Sequence, residues 1–109
     1  MDISITGRNM ELNPGIKKYV YSRLGRIERF YSRIDKCDVI LEESKERRIA
    51  EIVLSLRRTK IVVKESSTDM YASIDNASEV LKKQLRRLRG KVFSKRRKAV
   101  MDRFMGRGE

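Results

Sequence analysis

Apolar residues recur along this chain of 109 residues with two periods, and each period predicts a kind of element. Between Asp2 and Thr6, Ile3 and Ile5 alternate with Asp2, Ser4 and Thr6, the two-residue period of a short half-buried strand. Gly7-Arg8-Asn9 is turn chemistry and is expected to end that strand. Asn13-Pro14 then signals a helix start, with Asn as the cap and Pro at the first helical position. Ile16, Val20, Ile27, Tyr31 and Ile34 follow as a helical stripe, widened by Tyr19, Leu24 and Phe30. Arg23 falls inside this arc. It either lies along the core edge with its guanidinium turned outward, as long cationic side chains do, or is aimed at a ligand. Gly25, in the middle of the helix, costs roughly 1 kcal/mol relative to Ala and is expected to mark close packing against a neighbour.

The two-residue period returns from Cys37 to Glu42, with Cys37, Val39 and Leu41 on one face. Glu43 to Arg47 reads as a hairpin loop. A longer strand from Arg48 to Leu56 turns Ala50, Ile52, Leu54 and Leu56 inward. Arg57-Arg58-Thr59 leads into a last strand, Lys60 to Glu65. Ile40, Ile49, Val53 and Val62 fall on the outward positions, where they form either a shallow apolar patch or ordinary scattered surface. Ser66-Ser67-Thr68-Asp69 supplies a second helix cap. Beyond it Met70, Ile74, Ala77, Leu81, Leu85 and Leu88, with Val92 as an extension, make the i, i+3/i+4 stripe of a helix docked on a core. The order β-α-β-β-β-α predicts an α+β two-layer sandwich: a four-stranded sheet with both helices on one face. The first connection should cross over right-handedly, and the later strands should form an antiparallel meander. Residues 1–95 are read as the folded domain. Residues 96–109 are its basic tail, either a helix extension or a mobile end.

Length and composition narrow the function. A single domain of this size buries about two thirds of its unfolded surface. No apolar run is long enough for a bilayer, and Asp2 stands where a secretion signal would be basic. Cys37 is the single cysteine, which fits a reducing cytosol. Charge is distributed unevenly. Residues 1–81 hold 15 Lys/Arg against 13 Asp/Glu, and residues 82–109 hold 12 against 2. A near-neutral body with a cationic final quarter points to a polyanionic partner, and nucleic acid is the leading one. An anionic membrane surface would attract the same charge. The helix needs its apolar stripe for the core, which weakens that alternative.

Catalytic chemistry is poorly provided for. The chain has no histidine, which excludes His-dependent nucleophilic triads and His-ligated metal sites. One cysteine cannot build a thiolate metal centre, and neither GxxxxGK[ST] nor GxGxxG occurs. Glu42, Glu43 and Glu46 sit beside Lys45, Arg47 and Arg48 as a solvated cluster. Asp69 and Asp75 complement the dipole at a helix start. The residues describe a binding protein without a catalytic site, metal or cofactor.

Two segments carry a family resemblance: ISITGRNMELNPGIKKYVYSRLGRIERF at the start, and VVKESSTDMYASIDNASEVLKKQLRRLRGK with its D-M-Y-A-x-I-D signature. In this element order they resemble the ribosome hibernation-promoting factors, also called ribosome-associated inhibitor A or the light-repressed protein family, over about residues 1–95. The resemblance implies a domain similar to a double-stranded-RNA-binding fold. It also implies a stress or stationary-phase translation inhibitor in the cytoplasm. Such a protein occupies the mRNA/tRNA channel of the small ribosomal subunit, against ribosomal RNA and ribosomal proteins. Longer members add a dimerisation domain that pairs ribosomes. This chain ends at Glu109 without one and is read as a short form or an N-terminal domain, monomeric in isolation.

Binding of that kind rests on cations gripping phosphates without reading sequence. The leading contacts are Lys82, Lys83, Arg86, Arg87, Arg89 and Lys91 of the second helix. Lys17, Lys18, Arg23 and Arg26 of the first helix, with Arg8, come next. Tyr71 either stacks on a base or caps the core. The acidic hairpin Glu42–Glu46 should point away from RNA. Two other readings stay open: a general structured-RNA binder, and a basic module for acidic partners or membranes.

Overall fold

The computed structural model describes the backbone of residues 1–31 and 33–105, and the side chains of residues 1–29, 31 and 33–89. Its elements run β1 (Asp2–Arg8), α1 (Pro14–Phe30), β2 (Ile34–Glu43), β3 (Arg48–Leu56), β4 (Lys60–Ser67) and α2 (Met70–Met105). The sheet order is β1-β2-β3-β4. β1 and β2 are parallel across the α1 crossover, and β2-β3-β4 is an antiparallel meander. The sheet is therefore mixed, and the architecture is the α+β class that the pattern predicts.

Alternation in the strands sets what the sheet buries. Cys37, Val39 and Leu41 of β2, Ala50, Ile52, Leu54 and Leu56 of β3, and Ile61 and Val63 of β4 all lie in the core. Ile16, Val20, Leu24 and Ile27 of α1 and Met70, Ile74, Ala77, Leu81 and Leu85 of α2 join them there. All of these inward strand residues share one cluster with residues of both helices. The two helices lie side by side on that face of the sheet, and the other face is open.

Local chemistry fixes the helix starts. Asn13, in extended backbone, accepts a hydrogen bond from the Ile16 amide through Oδ1 at 2.8 Å. At the start of α2, Asp69 Oδ1 accepts from the Tyr71 amide at 3.4 Å. The buried Ser73 hydroxyl donates to the Arg48 carbonyl at 2.5 Å and lies 2.9 Å from the Ser67 hydroxyl. That contact fastens the first turns of α2 to the beginning of β3. Leu88 still packs against the core, and the α2 backbone continues past Gly90 to Met105.

Four sequence expectations are corrected. The first strand runs through Gly7 and Arg8, because the parallel ladder continues to pair them with Leu41 and Glu42. The turn comes at Asn9, with a positive φ of 56° that Asn tolerates better than most residues. Tyr31 and Ile34 are not helical: Tyr31 caps α1 with φ −141° and ψ 107°, and Ile34 opens β2 as a buried strand residue. Gly25 marks no close packing, since nothing lies within 4 Å of where a Cβ would stand. Finally, β2 and β4 are longer than the alternation indicates, reaching Glu43 and Ser67.

Candidate nucleic-acid interface

The helices run in parallel, as their contacts show. Tyr19 meets Tyr71 edge-to-face, with ring centroids 5.0 Å apart and an interplanar angle of 77°. One turn further along, Arg23 Nε lies 3.0 Å from Asp75 Oδ1, and Arg23 Nη2 lies 3.7 Å from Glu79 Oε1. The Nε contact is ionic, since its N–H does not point at the carboxylate as a hydrogen bond would. Tyr19 donates to the same Asp75 Oδ1 at 2.5 Å. This bond, together with burial, raises the Tyr19 phenol above its usual pKa of 10.0. Glu79 Oε1 also meets Lys82 Nζ at 3.8 Å. The first half of the seam between the helices is thus aromatic and internally neutralised.

The second half is different. A step of 100° per residue carries the α1-facing line of α2 from Tyr71, Asp75 and Glu79 on to Lys82, Arg86 and Arg89. The same step carries the α2-facing line of α1 from Tyr19 and Arg23 to Arg26. Lys83 projects outward, and Arg87 turns toward the β4 edge, where it lines a groove with Gln84, Thr59 and Ile61. Lys17, Lys18, Arg26, Lys83, Arg86 and Arg87 are all exposed. Among the described residues, no carboxylate within ion-pair distance opposes any of these six.

The structure therefore brings most of the sequence-derived cations onto the helical layer, with Arg87 at its β4 edge, and it sorts them. The Arg23 side chain is three-quarters buried at the core edge, and its guanidinium pairs with Asp75 and Glu79 of α2. Lys82 is partly neutralised by Glu79. Arg8 stands apart, at the end of β1 and on the open face of the sheet with Thr6 and Ser4. The side chain of Lys91 lies outside the described residues. Tyr71 is 40% exposed above Tyr19, so it both closes the seam and keeps a face toward solvent.

Charge also changes along the helix axes. The β2–β3 hairpin, where Arg48 Nε meets Glu43 Oε1 at 3.0 Å, lies at the end of the sheet where both helices begin. Arg57 and Arg58 occupy the β3–β4 turn at the opposite end. The helical period does not single out these two arginines or Arg33, because Arg57-Arg58-Thr59 carries only a turn signal in the sequence.

The chain is thus a small α+β module, a four-stranded mixed sheet carrying two parallel helices whose exposed cations Lys83, Arg86 and Arg87 are met by no carboxylate of the described residues. The family model described as "Sigma 54 modulation protein / S30EA ribosomal protein" matches residues 3–92, and the chain belongs to that family. The "Ribosome hibernation promoting factor" of Klebsiella oxytoca is 30% identical over 92 residues, 84% of this chain and 97% of that protein. The "Ribosome hibernation promotion factor" of Deinococcus radiodurans is 30% identical over 110 aligned positions, spanning 96% of this chain but 58% of the longer relative. Among solved structures, the Thermus thermophilus Protein Y N-terminal domain superposes with a TM-score of 0.74 at 33% identity, covering 81% of this chain and 99% of that one. A ribosomal subunit interface protein from Coxiella burnetii gives a TM-score of 0.79 over 83% of this chain and 99% of its own, at 24% identity, and shows the same fold.

Proposed function

We propose that this chain binds the ribosome and inhibits translation during stress or stationary phase, working in the cytoplasm as a binding protein rather than an enzyme. On this reading it sits in the mRNA/tRNA channel of the small subunit, where its helical face grips ribosomal RNA phosphates. The observation that carries the reading is the row of exposed cations on the outer face of α1 and α2 that no carboxylate of the described residues opposes. Relatives named as ribosome hibernation promoting factors supply the partner.

Phosphate contacts fall first to Lys83, Arg86 and Arg87, then to Lys17, Lys18 and Arg26. Arg89 is a further candidate, and Lys91 follows it in the sequence of α2. Lys82 and Arg23 contribute less, since each shares its charge with Asp75 or Glu79. A contact through Arg8 would be a separate one, from the sheet side. Arg side chains suit paired phosphate oxygens and Lys acts as a point charge. The affinity should fall steeply with salt. On this reading residues 1–95 form the binding unit, and 96–109 are its basic tail or helix extension.

Sedimentation with vacant ribosomes tests the reading. The chain should pellet with the small subunit, bound tRNA and mRNA should displace it, and free RNA duplex should compete poorly. Pelleting that tRNA leaves unchanged would contradict channel occupancy.

A further inference from the structure

At the end of the sheet where α1 stops lies a groove of about 450 Å³ that the reading above does not use. Arg33, Arg57 and Arg58 stand around it, and Tyr31, Leu56 and Leu88 line it with apolar surface. A smaller hollow shares Thr59 and Leu88 with it and adds Arg87. Among the described residues, none that lines either one is acidic. All four arginines are exposed, and among the described residues none has a carboxylate partner within ion-pair distance.

We infer that this groove receives one unstacked nucleotide of a single-stranded RNA segment, its base against Tyr31 and its flanking phosphates on Arg57, Arg58 and Arg33. The inference rests on the ribosome-binding reading and adds a second kind of contact to it. The volume is in the range of small-ligand sites. A purely electrostatic patch needs no hollow. A planar base does need one, and an aromatic ring beside guanidinium groups is how single strands are held without sequence readout. A duplex keeps its bases stacked inside and offers the groove only backbone. The arginines come from two segments that meet at this end of the sheet: Arg57 and Arg58 from the β3–β4 turn, and Arg33 just before β2, whose Ile34 pairs with Leu56. A strand crossing there has three cations within reach of its phosphates beside one base.

The test titrates the full chain with a short fluorescent single-stranded RNA and with the same strand lacking its bases. The wild type should prefer the base-bearing strand. Tyr31→Leu, which keeps the apolar fill, should weaken binding to the base-bearing strand about tenfold and leave the abasic strand unchanged, erasing the preference. Tyr31→Phe, which keeps the ring, should retain it. Arg57→Gln with Arg58→Gln should weaken both strands and reduce the salt slope by about 1.4, roughly 0.7 per lost cation. Circular dichroism guards against misfolding, since the arginines are exposed in a turn. A wild type without base preference, a Tyr31→Leu variant that keeps it, or an unchanged slope would overturn the inference. Ribosome sedimentation run beside it separates the two claims. Wild-type chain that fails to pellet yet shows these strand effects removes the ribosome reading and leaves the groove. Pelleting without the strand effects does the reverse.

Discussion

Arg23 and Asp75 meet across the two helices, with the guanidinium Nε 3.0 Å from the carboxylate Oδ1. This pair is a joint within the protein and not part of its outer charge. The Tyr19 hydroxyl shares the same oxygen, so one carboxylate holds two side chains of α1. Removing the carboxylate leaves a mostly buried arginine side chain without its main partner. Asp75→Asn should therefore lower stability by about 1 kcal/mol, read as a shift in the urea midpoint at unchanged m-value. Arg23→Gln should lower stability similarly while costing far less RNA affinity than Arg86→Gln. Equal losses of affinity would place Arg23 on the binding face.

Two glycines should respond to alanine with opposite signs. At Gly25 a Cβ meets nothing within 4 Å, so Gly25→Ala gains helix propensity without a clash and should stabilise by about 1 kcal/mol. At Gly7 the Cβ would stand 2.8 Å from the Met10 carbonyl oxygen and 3.2 Å from Leu12 Cγ. Since backbone must shift to admit it, Gly7→Ala should destabilise. Thermal melting of the two variants against wild type decides both.

Alkaline pH should weaken the fold. Burial pushes the Cys37 thiol from 9.0 up to about 12, and the bond to Asp75 raises Tyr19. In each case folding favours the protonated form. The stabilisation is complete below the unfolded pKa values and is lost as pH rises through the folded ones. For Cys37 that window runs from pH 9.0 to about 12. Urea midpoints should fall across its lower part, and Cys37→Ala should reduce the fall. Alkylation of the folded chain at mildly alkaline pH should be slow and should accelerate only with unfolding. Rapid alkylation of native protein would contradict the burial of this thiol.

Elements whose causes are local could be read directly from the sequence. Asn13-Pro14 starts α1 because cap and proline act within one turn, and β3 was bounded correctly because alternation from Ala50 to Leu56 is unbroken. Strands β1, β2 and β4 outran the local pattern because pairing with neighbours extends them, and one error arose where a local period continued past the end of its element. Ile34 sits at helical spacing from Tyr31, yet it pairs with Leu56 in the sheet. The candidate site divides in the same way. Lys83, Arg86 and Arg87 follow from the helical period alone. The partners of Arg23 lie on another element, and the groove is assembled the same way: the Tyr31–Arg33 segment, Arg57 and Leu88 are distant in the chain and meet only through the fold. Gly25 misled because the sequence shows the cost of a helical glycine without showing whether a neighbour needs the space.

Charge reversal on the outer helical face tests the central claim most directly. Lys83→Glu with Arg86→Glu should abolish sedimentation with vacant ribosomes while circular dichroism and the urea midpoint stay close to wild type. Glu46→Lys, at the opposite, acidic hairpin, should leave sedimentation intact. Retention of ribosome binding by the well-folded double variant would contradict the account.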